Sequence, residues 1–200
     1  MTIELRPLKP DQLDDFKKLL GSSDFGGCYC AVWTAYGTDW EARCADQLTP
    51  NFSSTAKRVT AGEHAGYLVY ENNELVGWTG SGPKTHFPLL QSKLGSRLSD
   101  FCEETWSIGC IAVKTEFRGR GLADEIVAAV VDLAQENRAT RIEAYPVRPF
   151  HEPRVYRGTE GLFRRQGFVK KSAEADDEFQ ILLMSREIES GRAIGRKNDD

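Results

Sequence analysis

Long apolar runs are missing from this 200-residue chain. The longest stretches, around residues 126–131, stop well short of the ~18–20 residues a membrane-spanning helix needs, so no membrane span is expected. The first residues, Met1-Thr2-Ile3-Glu4-Leu5-Arg6, carry no basic-then-apolar signal pattern, and the cytoplasm is the expected location. No C-x₂-C pair and no H-x₃₋₅-H pair occurs. Cys28-x-Cys30 is too closely spaced for a zinc knuckle, and His64, His86 and His151 lie far apart, so no metal is expected. The five cysteines (Cys28, Cys30, Cys44, Cys102, Cys110) are an odd number without a secretion signal, which argues for reduced thiols over a disulfide framework. An excess of positive charge is also lacking. The chain has 26 basic and 30 acidic side chains, net −4, which argues against general affinity for nucleic acid or anionic membranes.

What is present is ordinary globular material. Hydrophobic residues make up 40% and charged residues 28%, and ten Phe, four Trp and six Tyr supply bulk for a core. The length suits a single domain, expected over residues 1–189, with a polar, disordered tail over 190–200. Charge is uneven along it. Residues 114–171 hold 12 Lys/Arg against 8 Asp/Glu, a local +4 inside an acidic protein. That fits either a small anionic ligand or a solvated, arginine-rich helix face.

Period and punctuation predict a mixed α/β order. Residues 3–8 alternate as a strand, and Pro10-Asp11 opens an amphipathic helix to Leu20, stopped by Gly21. Residues 22–40 are irregular and aromatic. Short helices are expected from Asp39 to Gln47 and from Asn51 or Ser53 to Ala61. Strands at 66–70 and 75–79 flank Glu71-Asn72-Asn73-Glu74, a hairpin signal. Residues 83–100 read as a polar loop with a helical turn. The strand at 106–113 has apolar residues on both faces, so it is expected to be buried on both. The strongest helix runs from Leu122 to about Asn137, followed by a strand at 141–145, a short helix at 158–166 and a last strand at 179–185.

The chemistry is expected at Ile111-Ala112-Val113 and Arg118-Gly119-Arg120-Gly121-Leu122-Ala123. A helix starting at Gly121 presents unpaired N–H groups and the positive end of its dipole. Gly119 and Gly121 let an anion approach the backbone, and Arg118 and Arg120 add full charges, which together suit a pyrophosphate. The run is not a dinucleotide fingerprint, because position 124 is Asp where a third glycine belongs. It is not a Walker loop either, since no Gly-Lys-Ser/Thr follows.

Arg118-x-x-Gly121-x-Ala123 after Ile111-Ala112-Val113 resembles the R/Q-x-x-G-x-G/A signature of the GNAT N-acetyltransferase superfamily. The segment Phe163-Arg164-Arg165-Gln166-Gly167-Phe168 is similar to the piece that closes many such domains. Glu143-Ala144-Tyr145-Pro146-Val147 with Tyr156-Arg157-Gly158-Thr159 resembles a bacterial subgroup. The resemblance covers about residues 3–185. It implies a GNAT-like α/β fold, a central mixed sheet with flanking helices, and acetyl-CoA as co-substrate. By the same resemblance, the backbone at Ile111, Ala112 and Val113 holds the pantetheine arm. The loop Arg118, Gly119, Arg120, Gly121, Leu122 and Ala123 holds the pyrophosphate. The implied reaction is direct acetyl transfer to an amine acceptor, by a monomer or homodimer with no nucleic-acid or membrane partner. A non-catalytic acyl-CoA-binding module is the alternative.

The catalytic pattern departs from the family in two places. An ammonium must lose a proton before it attacks a thioester, and a carboxylate can take it. The family position that often carries Glu is Ser107 here, leaving Glu143, Glu104 and Glu103 as candidate bases, with Glu143 equally readable as a structural partner of Arg141 or another arginine. The position that often carries the thiolate-protonating Tyr is Phe163. Tyr145 and Tyr156 are the candidates to replace it. Glu143 and Tyr145 alternate on one strand and so share a face, which ranks them first. Cys110 reads as a small buried hydrophobe. The aromatic segment 28–40 is expected either to wall the acceptor site or to plug the core.

Overall fold

Two asparagines make the first tight turn. Asn72 and Asn73 both adopt left-handed backbone, φ 50° and 66°, as a two-residue hairpin loop requires. They join β2 (Tyr67–Glu71) to β3 (Glu74–Pro83). The computed structural model, which describes residues 2–34, 50–90, 102–148, 156–172 and 180–189, builds a seven-stranded mixed sheet on this hairpin. β1 (Ile3–Pro7) pairs antiparallel with β2, and β4 (Thr105–Val113) antiparallel with β3. β5 (Arg141–Ala144) runs parallel to β4. β6 (Val147–Arg148) leaves the sheet to pair with β8 (Gln180–Ile181). β7 (Val169–Ser172) and β9 (Leu183–Glu187) complete the order β1-β2-β3-β4-β5-β9-β7.

Helices cover both faces. On one side lie α1 (Leu13–Leu20), the single turn α2 (Ala31–Thr34) and α3 (Pro50–Thr60). α1 carries Asp14 and Asp15 in its first turn and Lys17 and Lys18 in its last, matching the helix dipole at both ends. Its Phe16 ring packs 4.6 Å from that of Trp78 on β3. The other side is covered by α4 (Leu122–Glu136), whose Ile126, Val127, Val130 and Ala134 pack against Trp106, Ile108 and Ile142. Each such fully buried large side chain stabilises the fold by about 1.5–3 kcal/mol. α5 (Glu160–Arg165) is capped by Thr159, whose side-chain oxygen accepts the Leu162 N–H.

Several boundaries differ from the sequence expectation. β3 continues past Thr79 through Gly80-Ser81-Gly82-Pro83, residues with too little β-propensity to signal a strand. The strand expected at 179–185 is divided into β8 and β9. β7 was not expected, because Val-Lys-Lys-Ser is a mostly polar edge, with Val169 itself exposed. The short helix begins at Glu160 rather than Gly158, which takes a left-handed φ of 74° before the cap. The helix expected from Asp39 to Gln47, the aromatics Tyr36 and Trp40, Cys44, His151 and the tail 190–200 lie outside the described residues.

The sheet is not uniformly paired around β4. Its register with β3 passes from Gly80 opposite Cys110 to Ser81 opposite Ile108, leaving Gly109 as an extra residue in a β-bulge. Its parallel pairing with β5 runs only from Thr105 opposite Arg141 to Ile108 opposite Ala144. Pro146, which has no N–H to give to a ladder, follows directly after Tyr145.

Candidate active site

Beyond Ile108, the β5-facing edge of β4 meets no strand among the described residues. The ladder on that edge therefore has a gap from Gly109 to Val113, along the stretch of β4 that leads towards the glycine turn. In that turn Gly119 and Gly121 take left-handed backbone, φ 74° and 84°, and Gly121 stands at the N-cap of α4. A side chain built on either glycine would meet no atom within 4 Å, so the space above the turn is open. Leu122 is buried against the core, which anchors the first turn of the helix, and Ala123 is partly buried beside it.

The two arginines of the turn have different jobs. Arg118 Nε donates to the Val113 carbonyl at 2.9 Å, and its exposed guanidinium lies 6.0 Å from the Phe25 ring. Arg120 has a partner that the sequence did not suggest. Its guanidinium donates to both carboxylate oxygens of Glu71, at 3.0 and 3.3 Å, and Glu71 is nearly buried. Its side chain nevertheless stays 43% exposed. Asp24 braces the same region by accepting from the Thr115 hydroxyl at 2.8 Å. That hydroxyl holds the Asp24 carboxyl below the usual carboxylate range.

Of the backbone groups expected to hold a pantetheine, Ala112 and Val113 pair with β3 on their other side. The Ile111 N–H is directed towards the gap, where it donates to the Tyr156 carbonyl at 2.5 Å. Ile111 thus has an internal partner that the sequence did not suggest.

At the foot of the gap four polar side chains form one buried chain. Ser107 and Glu143 face each other across the β4–β5 ladder, and Tyr145 lies two residues beyond Glu143 on the same face. Ser107 Oγ and Tyr145 Oη are 2.8 Å apart. Tyr145 Oη donates to Glu143 Oε2 at 3.1 Å, and Lys84 Nζ approaches the same oxygen at 2.8 Å. All four residues are fully buried on the face opposite α4. Burial first, and then the neighbouring Glu143 carboxylate, push the Tyr145 phenol well above its ordinary pKa. Tyr145 therefore keeps its proton unless it gains another as it gives one up. Trp33 roofs this chain. Its ring is 6.0 Å from that of Tyr145, and its indole N–H donates to the bulge carbonyl of Gly109 at 3.0 Å. Arg157 stacks over Trp33 at 4.6 Å, and burial lowers its pKa to about 10.

The remaining candidates fall elsewhere. Glu104 is exposed at the start of β4, where its carbonyl accepts from Thr140 and Arg141, so it stands at the closed end of the ladder and not at the gap. Glu103 beside it accepts from Thr85. The Tyr156 hydroxyl donates to the Asp24 carbonyl, and burial raises its pKa to about 12; it ties two loops together. Arg141 pairs with Glu187, and Lys84 pairs with Glu143. Phe163 is fully buried, 5.3 Å from Phe168. Cys110 is buried against Cys30, which raises its thiol pKa well above normal, as suits a packing residue. Within the aromatic segment, Phe25 and Tyr29 pack in the core with α1, whereas Trp33 borders the polar chain. Lys84 is what sequence reasoning missed: it sits in a stretch that reads as polar loop, and only the unexpected extension of β3 carries it inside.

This geometry has counterparts. The structure superposes on aminoglycoside acetyltransferase AAC(6')-Ib in complex with coenzyme A with a TM-score of 0.60 at 16% identity, covering 93% of this chain and 95% of that one. It matches an N-acetyltransferase from Staphylococcus aureus Mu50 with a TM-score of 0.56 at 12% identity, over 94% and 100% of the two chains. It also matches the PaiA N-acetyltransferase from Thermoplasma acidophilum in complex with coenzyme A, with a TM-score of 0.53 at 11% identity, over 94% and 99%. At these identities the likeness is one of fold. No curated protein matches the sequence. The profile of the acetyltransferase (GNAT) family matches residues 28–168, spanning the bulged strand, the glycine turn and α5, and the chain belongs to that family.

Proposed function

We propose that this chain, an acetyltransferase by family, transfers the acetyl group of acetyl-CoA to a primary amine of a small molecule or of a peptide or protein. The observation that carries this reading is the layout along β4. The open glycine turn and the Ser107–Tyr145–Glu143 chain stand at opposite ends of one edge of β4, which beyond Ile108 pairs with no strand among the described residues. Six residues of strand separate Ser107 from Val113, roughly 20 Å at ~3.3 Å per residue, so an extended donor held at the turn has its acyl end directed at the acid–base chain. In this reading the backbone of Ile111, Ala112 and Val113 binds the pantetheine arm, with the Ile111 N–H exchanging the Tyr156 carbonyl for the ligand. The loop from Arg118 to Ala123 takes the pyrophosphate. Arg118→Ala is expected to weaken acetyl-CoA binding by ~1–3 kcal/mol, the range for a charge-assisted hydrogen bond, measurable by isothermal titration.

The acid–base roles follow from the order of hydrogen bonds along the chain. As the acceptor ammonium gives a proton to Tyr145 Oη, the phenolic proton passes to Glu143, and Tyr145 is never left ionised. The amine nitrogen then attacks the thioester carbonyl, the C–S bond breaks, the new amide nitrogen releases its second proton to solvent, and the same relay run backwards returns the first proton to the leaving thiolate. The domain is taken as residues 1–189, acting in the cytoplasm as a monomer or homodimer. Among the described residues no helix is long and apolar enough to cross a membrane.

One observation favours a second reading, a non-catalytic acyl-CoA-binding module: Phe163, buried and without a proton, stands where many relatives place the thiolate acid. The two readings separate when the protein is incubated with acetyl-CoA and a panel of small amines and amino-terminal peptides while free thiol is followed. Thiol release above the amine-free rate supports transfer. Binding of acetyl-CoA with no amine-dependent release supports the module.

A further inference from the structure

We infer that Arg157 binds a carboxylate on the acceptor, so that the amine acetylated here belongs to a small amino carboxylic acid. The inference rests on the transfer reading above and narrows its acceptor.

Arg157 is held beside the stretch of β4 between the bulge and Ile111. Tyr156, before it, accepts the Ile111 N–H on its carbonyl and donates its hydroxyl to the Asp24 carbonyl. Gly158, after it, has a left-handed backbone, and a Cβ there would stand 2.8 Å from the Phe163 ring, so the chain is closely packed on that side too. The Arg157 side chain lies over Trp33, its guanidinium carbon 4.6 Å from the ring centre. Trp33 is itself fixed, because its indole N–H donates to the Gly109 carbonyl at 3.0 Å. The same ring lies 6.0 Å from that of Tyr145. One aromatic ring therefore links the guanidinium to the phenol that heads the proton relay.

No carboxylate of the described residues meets this arginine. Among them it makes no hydrogen bond and no ion pair, whereas Arg58, Arg120, Arg141, Arg164 and Arg165 each reach an Asp or Glu. It is half-buried, and the burial that lowers its pKa still leaves it charged at neutral pH. The stack on Trp33 engages only the face of the guanidinium; its N–H donors lie in the plane and remain to be met. A carboxylate presents two oxygens that match this planar fork. Its single charge balances one half-buried cation, where a phosphate monoester would bring about 1.5–2. The donor's pyrophosphate has its own place at the glycine turn beyond Val113, while Arg157 sits on the ring that closes over Gly109. An acceptor with its amine at Tyr145 and its carboxylate at Arg157 would be oriented at two points, as a few placed polar groups orient ligands generally.

Amino acids, each paired with its own carboxamide, test this, because the amide keeps the amine and side chain and removes only the negative charge. The amide also has the more readily deprotonated amine, so a preference for the acid is no effect of basicity. The panel is the standard α-amino acids together with β-alanine, γ-aminobutyrate and ε-aminocaproate, at saturating acetyl-CoA, with thiol release followed. At least one acid is expected to show a kcat/KM about tenfold or more above that of its amide. Arg157→Gln should remove most of that preference by raising KM for the acid, and Arg157→Lys, which keeps the charge without the fork, should fall between. Arg157→Met, which still covers the Trp33 ring, serves if the glutamine variant does not fold. Amides used as well as or better than acids by the parent protein overturn the inference and leave the transfer reading standing. A preference for the acid that survives in a folded Arg157→Gln or Arg157→Met does the same. A tenfold rise in the dissociation constant of acetyl-CoA in that variant assigns Arg157 to the donor and overturns it too. No thiol release with any acid or amide, while acetyl-CoA still binds, ends the transfer reading itself and this inference with it.

Discussion

Glu143→Gln is expected to lower kcat/KM at least about tenfold while leaving acetyl-CoA affinity nearly unchanged. General acid–base help typically contributes about 10²–10⁴-fold, and the amide removes the proton acceptor while keeping the shape of the side chain. Affinity should survive because Glu143 stands at the foot of the gap, at the end of β4 away from the glycine turn. The defect should shrink at high pH, where the acceptor forms free amine without assistance. Tyr145→Phe should reproduce much of the same loss, since it breaks the relay between Ser107 and Glu143. Steady-state thiol release across pH, with titration of acetyl-CoA into the same samples, separates a catalytic defect from a binding one. A tenfold rise in the dissociation constant with an unchanged kcat would place Glu143 in donor binding instead.

Gly121→Val should act at the other end. The backbone there is left-handed, φ 84°, and a β-branched residue held in it costs the fold roughly 1–2 kcal/mol. That is tolerable for a domain with the usual stability of about 5–15 kcal/mol. No protein atom lies within 4 Å of the added Cβ, so the valine would not clash with its own chain. It would instead stand in the open space above the first turn of α4, in the path of a pyrophosphate approaching the N–H groups. The expected result is a protein that still melts cooperatively but binds acetyl-CoA at least about tenfold more weakly, equivalent to ~1.4 kcal/mol. Gly119→Val should fall in the same class, since Gly119 is also left-handed and open.

The strand–turn–helix unit was legible because its signals are local. Two glycines mark the turn, and the apolar period of α4 reports its buried stripe directly. Alternation likewise put Glu143 and Tyr145 on one face, and the parallel ladder then set Ser107 opposite Glu143. What the sequence hid is long-range. Arg120 reads as a free cation until the hairpin brings Glu71, 49 residues away, within hydrogen-bond distance. Lys84 reads as loop because Gly80-Ser81-Gly82-Pro83 carries no strand signal, yet the register of β3 on β4 draws these residues into the sheet and delivers the lysine to Glu143. Trp33 gave only the sum of two expectations, wall or plug. Its neighbours Phe25 and Tyr29 pack in the α1 core, whereas its own indole closes over the bulge at Gly109, a contact set by β4 and not by its own segment.

Acetyl-CoA should lie along the edge of β4 beyond Ile108 and on the glycine turn. Isothermal titration of acetyl-CoA into the full chain tests it most directly, with Gly121→Val as the matched control. Saturable one-to-one binding to the parent, weakened at least about tenfold in the variant, is the predicted result. No heat of binding at millimolar acetyl-CoA by a folded parent protein, or equal affinity in parent and variant, would contradict it.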